Sequence, residues 1–284
     1  MQVATTITEI RACVNQAHAA GKTVGFVPTM GALHVGHVSL MQAAAERCGF
    51  VVVSIFVNPT QFGPGEDFEK YPRPIEKDLA ICKENGVDAV FAPSRAEMYP
   101  RRNLTWVTVE KVSEPLCGRF RPGHFRGVAT VCAKLFNIVG ADLAFFGQKD
   151  AQQVAVIRWM VADLNMPLEI VVCPTVREPD GLAMSSRNQY LSPQERKEAT
   201  VIYRSLQRSA ELIREGETDA ARITGQMCGI LRLVPDLRIE YVSIVDAESL
   251  EDLGQIKGKV LVAVAGRLGS TRLIDNIVVD ATTR

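Results

Sequence analysis

Two of the chain's four histidines lie three residues apart in Pro28-Thr29-Met30-Gly31-Ala32-Leu33-His34-Val35-Gly36-His37-Val38-Ser39-Leu40, and that spacing has a chemistry. Imidazoles at i and i+3 share one side of a helical turn and can donate hydrogen bonds to oxygens on which negative charge builds. Residues 23–27 have strand composition, and Leu40, Met41, Ala44, Ala45 and Cys48 fall on one helical face, so His34 and His37 open a helix that follows a strand. A helix start presents unpaired N–H groups and the positive end of a dipole, which together favour an anion such as phosphate. Gly31 and Gly36 would let that anion approach the backbone closely. The competing readings are a histidine that merely caps the helix, and a metal site, which ranks lower because no Cys or carboxylate stands at ligand spacing nearby.

The elements that must position this pair alternate strand with helix. The pattern predicts a helix over 6–20 ended by Gly21, a β-branched strand over 50–57, a helix over 75–85, strands over 88–91 and 105–109, a helix over 128–139, a strand over 142–146, a helix to about 163 and a strand over 168–173. That is a Rossmann-like α/β domain with a doubly wound parallel sheet, whose ligands gather beyond the carboxyl ends of the strands. Asn58 and Gln61 follow one such strand, and Gln61 can donate and accept at once, which suits a small hydroxy acid. Asp78 can either reach a metal-bound nucleotide or face solvent. The basic stretch from Cys117 to Gly127 offers arginines and His124 to a polyphosphate. After the strand over 142–146, Lys149 can contact phosphate, Asp150 a ribose hydroxyl or the helix start it would cap, and Gln153 the same cavity. Ser185, Ser186 and Arg187 form a compact donor cluster suited to triphosphate oxygens. From Ser192 the composition changes: a Ser-Pro-Gln-Glu helix start leads to two helices and three further strands. We read residues 1–177 as the first domain and 178–284 as a smaller α+β lid domain.

Composition excludes several classes. Thirty-two basic residues balance thirty-two acidic ones, which argues against nucleic acid as the main partner. Seven scattered cysteines, never spaced as Cys-x-x-Cys, argue against a disulfide framework or a zinc ribbon and for a reducing cytoplasm. Glu9 and Arg11 interrupt any signal-peptide core, and the longest strongly apolar run, 50–57, is too short to span a membrane.

Six blocks in order carry a resemblance that covers essentially the whole chain: Pro28-Thr29-Met30-Gly31 with His34 and His37; Asn58-Pro59-Thr60-Gln61-Phe62; Arg121-Pro122-Gly123-His124-Phe125-Arg126-Gly127; Phe146-Gly147-Gln148-Lys149-Asp150; Asp180-Gly181-Leu182-Ala183-Met184-Ser185-Ser186-Arg187-Asn188; and Arg272-Leu273-Ile274-Asp275-Asn276. The first resembles the His-x-Gly-His signature of the nucleotidyltransferase superfamily. Together they resemble the pantothenate synthetase family. Gln148 departs from the Glu that many members carry and leaves Lys149 and Asp150 in place.

The resemblance implies an ATP-dependent ligase, acting with Mg²⁺, that condenses (R)-pantoate with β-alanine through a pantoyl adenylate, and it implies a homodimer. Carried over by position, Met30, Gly31, Ala32, Leu33, His34, Val35, Gly36 and His37 would line the ATP site, with His37 the proton donor and His34 its companion on the phosphates. Gly147, Gln148, Lys149, Asp150, Val176, Met184, Ser185, Ser186 and Arg187 would complete it, Lys149 and Arg187 acting on the phosphates. Gln61 and Gln153 would hold pantoate, Gln61 also lying near β-alanine, and Asp78 and Asp150 are the candidate metal ligands. Other small nucleotidyltransferases would share the histidine turn without the block at 58–62. A class I aminoacyl-tRNA synthetase fragment is disfavoured by the neutral charge, and a nucleotide-sensing module without chemistry by the intact His34, His37, Lys149 and Arg187.

Overall fold

The computed structural model describes residues 1–282. In chain order the first unit comprises β1 (Gln2–Ala4), α1 (Ile7–Ala19), β2 (Val24–Thr29), α2 (Val35–Arg47), β3 (Phe50–Ile55), α3 (Ile75–Glu84), β4 (Ala89–Phe91), α4 (Arg95–Met98), α5 (Cys117–Phe120), α6 (His124–Val139), β5 (Leu143–Gly147), α7 (Ala151–Asp163) and β6 (Glu169–Cys173). The second comprises α8 (Pro193–Glu198), α9 (Val201–Arg214), α10 (Ala220–Leu231), β7 (Leu237–Asp246), β8 (Lys259–Leu268) and β9 (Thr271–Asp280).

The apolar runs form strands because helices cover both faces of their sheet, so neither row of alternating side chains needs to meet water. Val51 and Val53 of β3 enter one core with Leu40, Met41 and Ala44 of α2, whereas Val52 enters the opposite core with α1, α6 and α7. The six strands pair in parallel in the order β1-β4-β3-β2-β5-β6. The chain runs outward from β2 through β3 to β4 on one side and from β5 to β6 on the other, so the winding reverses between β2 and β5. A crevice opens beyond the carboxyl ends of strands at such a reversal.

The second unit is an antiparallel sheet, β7-β8-β9. Alternation again decides its packing: Val260, Val262 and Val264 of β8 join α9 and α10, while Leu261 and Ala263 point the other way into the core of the first unit. The sheet is therefore fixed to the first unit by apolar burial rather than tethered by a linker alone. No helix among the described residues is long and apolar enough to cross a membrane.

The structure departs from the sequence pattern at several places, among them the second unit, which has three helices, α8, α9 and α10, where two were expected. Residues 102–109, expected to contain a strand over 105–109, carry no regular secondary structure. Helix α6 begins at His124, four residues before the expected start, after the helical turn α5. Strand β1 has no counterpart in the sequence pattern. Three residues are too few to show periodicity, and pairing with β4 supplies the stabilisation.

Candidate functional site

Strand β2 delivers the histidine turn to the crevice. Its last side chain, Thr29, donates to the Ser54 carbonyl at 2.7 Å and accepts from Gly31 N at 3.1 Å, which starts the turn. His34 is the N-cap of α2, and its Nδ1 accepts from Gly36 N at 3.1 Å. The His34 N–H in turn donates to His37 Nδ1 at 3.2 Å. This is a capping box built from two imidazoles instead of Ser and Glu. A methyl group at Gly36 would lie 2.9 Å from His34 Cε1, so only glycine leaves the ring its place.

The box fixes the proton positions. Because Nδ1 accepts in both rings, each neutral ring carries its hydrogen on Nε2, and both are donors there. Burial pushes the His34 imidazole down to about 4, helped by the nearby Lys149 charge. Burial takes His37 down to about 3, with the His34 and Lys149 charges adding to it. At neutral pH the pair therefore presents two uncharged, aimed N–H donors, their ring centroids 4.1 Å apart.

Around them lies a cleft of about 230 Å³. Of the residues expected in the site, Met30, His34, Gly36, His37, Gln61, Gly147, Lys149, Asp150, Gln153, Val176, Met184, Ser185, Ser186 and Arg187 all line it. Gly31, Ala32, Leu33 and Val35 do not. They shape the turn beneath it, and Val35 is 58% exposed. Gln148 does not line the cleft either. Its amide donates to Asn276 Oδ1 at 3.0 Å. Asn276 Nδ2 then donates to the Gln148 and Lys149 carbonyls, at 3.0 and 2.8 Å. A residue of β9 thus clamps the turn that carries Lys149, which gives the block 272–276 a physical role that its composition did not reveal.

Asn58 lines the cleft and also braces its neighbours. It is buried, accepts from Tyr99 OH at 2.9 Å, and donates to the Gly127 carbonyl at 3.2 Å and to Gln61 Oε1 at 3.1 Å. The last bond turns the Gln61 NH₂ toward the Met30 sulfur, 3.0 Å away, and the cleft. Of the adjacent glutamines on α7, Gln152 is spent on the Cys117 N–H and the Val112 and Pro115 carbonyls, leaving Gln153 on the lining.

Two expectations are modified. Arg121 and His124 line the cleft, but both are already bonded within the protein, as Arg187 is to Asp67. Arg121 forms a fork with Glu66, its Nη1 donates to His124 Nε2 at 3.0 Å, and His124 Nδ1 donates to the Gln61 carbonyl at 2.8 Å. Burial, then the Arg121 charge, pushes His124 down to about 4, so it too is neutral. Asp78 is neither a solvated side chain nor placed as a metal ligand: it is fully buried and both its oxygens accept backbone N–H groups, from Ala32 at 2.9 Å and Leu33 at 2.8 Å. No cluster of three or more His, Cys, Asp or Glu among the described residues could hold a metal ion. Asp150 is the one carboxylate on the cleft lining among the described residues. That donor set suits Mg²⁺ arriving on a triphosphate, whose own oxygens and waters fill most positions, and not a resident ion in a protein cage.

Sequence reasoning missed the apolar wall. Val128, Val131, Cys132 and Leu135 of α6 line the cleft beside Gln61. Twelve of the sixteen residues of α6 are buried, so the cleft-facing stripe has no polar contrast to mark it. Asp67, Tyr71 and Tyr99 were also missed, since each gains its role from a partner far away in sequence.

A family profile described as pantoate-beta-alanine ligase matches residues 2–278. The chain is 54% identical over 280 residues to a pantothenate synthetase of Acetivibrio thermocellus, covering 99% of this chain and all of that protein. It is 55% identical over 278 residues to one of Pelotomaculum thermopropionicum, with 98% and 99% coverage. The crystal structure of pantothenate synthetase from Thermus thermophilus superposes with a TM-score of 0.93 at 48% identity, over 98% of this chain and 99% of that one. A pantoate-beta-alanine ligase from Francisella tularensis, solved with beta-gamma ATP and beta-alanine, superposes with a TM-score of 0.82 at 33% identity, covering 100% and 99%. The chain therefore belongs to the pantoate–β-alanine ligase family, the pantothenate synthetases.

Proposed function

We propose that the cleft joins (R)-pantoate to β-alanine in two displacements. A pantoate carboxylate oxygen attacks the α-phosphorus of ATP, forming the acyl phosphate bond of pantoyl adenylate as the bond to pyrophosphate breaks. The β-alanine amine then attacks the acyl carbon, forms the amide and releases AMP, its surplus proton passing to solvent. The observation that carries this reading is the placement of two neutral Nε2–H donors, from His34 and His37, in one cleft with the Gln61 amide and the apolar wall of α6. The donors meet the charge that grows on the α-phosphate oxygens, and their proton positions are set before substrate arrives, so no reorganisation is needed at the reacting moment. Gln61 and Gln153 hold the hydroxyl and carboxylate end of pantoate, while Val128 and Val131 take its two methyl groups. Lys149 and Ser185 to Arg187 receive the phosphates, and Asp150 is the side chain that can reach Mg²⁺ carried on them, which would neutralise phosphate charge. Positioning and charge neutralisation suffice for such a displacement, and no protein nucleophile is required. The domain boundary at 177/178 separates the unit that binds nucleotide from the one that supplies the 184–187 segment. The seven free thiols accord with a reducing cytoplasm. The test is AMP formation from ATP with pantoate and β-alanine, each omitted in turn. Absence of pantoate dependence would refute this reading.

We place the homodimer interface at residues 102–109. This Leu-Thr-Trp-Val-rich segment has strand composition but no strand partner among the described residues, and it leaves Leu104 81% and Trp106 38% exposed. Exposed apolar strand formers on a segment without a strand neighbour fit an edge completed by a second copy. Sedimentation velocity is expected to give a dimer, and Leu104→Asp with Trp106→Glu a monomer. A dimer unmoved by both changes would put the interface elsewhere.

A further inference from the structure

We propose that Asp78 is a positioning residue for adenylate formation: its carboxylate fixes the left-handed turn at Gly31 and Ala32 and, through that turn, the aim of His34 and His37. The proposal rests on the assignment of those two histidines to the α-phosphate.

The turn is not one that its residues would choose. Gly31 has φ +81° and Ala32 φ +51°. The second value puts an L-residue with a Cβ into the left-handed region, which sterics disfavour and local side-chain bonding does not rescue for alanine. Two consecutive N–H groups, of Ala32 and Leu33, point out of this turn to one place. Such a pair forms a concavity for an anion. Here the anion is the protein's own: Asp78 Oδ2 and Oδ1, from the first turn of α3, accept them at 2.9 and 2.8 Å. The fit is close, since a methyl group at Gly31 would come within 2.8 Å of Asp78 Oδ2 and 3.0 Å of Ile55 Cγ2.

The side chain is completely buried and takes part in no ion pair among the described residues. A carboxylate removed from water without an ion-pair partner is costly. Its return is geometric. Leu33, held by Oδ1, is followed directly by His34, whose N–H sets His37 Nδ1 and whose own Nδ1 takes Gly36 N. A shift of the turn therefore moves both Nε2–H donors together, and a displacement of about 1 Å in a positioned group can cost on the order of 10²-fold in rate.

The experiment uses Asp78→Asn, Ala32→Gly and the double variant, read by pantoate-dependent ATP–pyrophosphate exchange, thermal unfolding, and long-range ¹⁵N spectra of the histidine rings. Asparagine offers one acceptor and turns an NH₂ toward the second N–H. We expect D78N to lower the exchange kcat by about 10- to 100-fold, with mixed tautomers at His34 and His37 in place of Nε2–H alone. Glycine occupies the left-handed region without steric cost, so A32G added to D78N should restore the single tautomer and most of the rate. A purely structural role would instead lower the unfolding temperature and leave the rate and tautomer unrecovered. A folded D78N with wild-type exchange, or a folded double variant that keeps the full deficit, overturns the proposal. Should D78N alone not fold, the double variant carries the test. If the wild-type protein itself shows no pantoate-dependent exchange, it is the assignment of function that fails.

Discussion

Replacing His37 by alanine is expected to slow pantoate-dependent ATP–pyrophosphate exchange by about 10²- to 10³-fold, the usual cost of removing one preorganised donor from a developing oxyanion, with KM for pantoate little changed. Two features make the loss large. The Nε2–H is aimed by a bond at the opposite ring nitrogen rather than by a flexible side chain, and the site is buried, so water cannot take the donor's place at equal strength. His34→Ala should cost at least as much, because His34 is both a donor and the N-cap that orders His37. The two changes should be strongly non-additive, since either one dismantles the same unit. Equal losses in KM and none in kcat would show that the rings bind ground-state phosphate only.

The same rings set the pH behaviour. His34, His37 and His124 sit at about 4, 3 and 4 in the folded protein, against about 6.5 when unfolded. The folded values are depressed, so between about pH 6.5 and 4 the unfolded chain binds more protons, and stability falls as pH falls through that window. Above pH 6.5 these rings contribute no slope. Urea titrations at pH 7 and pH 5 should show the loss, and His37→Gln should make it shallower. In kcat/KM no limb near pH 6.5 should belong to His34 or His37. A limb there that vanished on replacing either would mean that the rings work as cations.

How far the sequence foretold this site follows from how local each signal is. The histidine turn was legible because its residues are contiguous and lie between a clear strand and a clear helix. Gln61 and Lys149 were legible because each follows such an element closely, and Arg187 because it stands in the compact Ser185-Ser186-Arg187 donor cluster. What was not legible depends on pairs distant in sequence: Asp78 with the Ala32 and Leu33 N–H groups, Asn276 with the turn at 148–149, Arg121 with Glu66. In sequence a carboxylate on a helix start reads as solvated or as a ligand, and only the fold shows that its oxygens are spent on backbone 45 residues away. The strand expected over 105–109 failed for the complementary reason. Its composition is that of a strand, but strand formation needs a neighbour, and the described chain supplies none.

Arg187→Ala is expected to lower kcat/KM for ATP by about 10²-fold, since a bidentate charge-assisted contact to phosphate is among the strongest a side chain makes, and Arg187→Lys should restore little, because a point charge lacks the fork. The structure adds a condition on that contact. In this state the fork is already filled: Arg187 Nε and Nη2 donate to the two oxygens of Asp67 at 2.9 and 3.0 Å, with the guanidinium 5.7 Å above the Tyr71 ring. Tyr71 OH lies 3.4 Å from Ser186 Oγ, and Tyr190 OH donates to the Lys70 carbonyl at 3.4 Å, so the 67–71 loop and the 186–190 turn hold one another across the cleft. A triphosphate must exchange with Asp67 for the fork, anion for anion, and Asp67 thus acts as an internal competitor that keeps the arginine shaped for its ligand. Asp67→Asn removes the competing charge. It should lower KM for ATP several-fold while loosening the loop, so that more pantoyl adenylate is lost to water when β-alanine is withheld. Both are read from one assay of AMP release with and without β-alanine. If D67N instead raised KM for ATP as much as R187A does, the pair would be acting as a single binding unit and the exchange would be wrong.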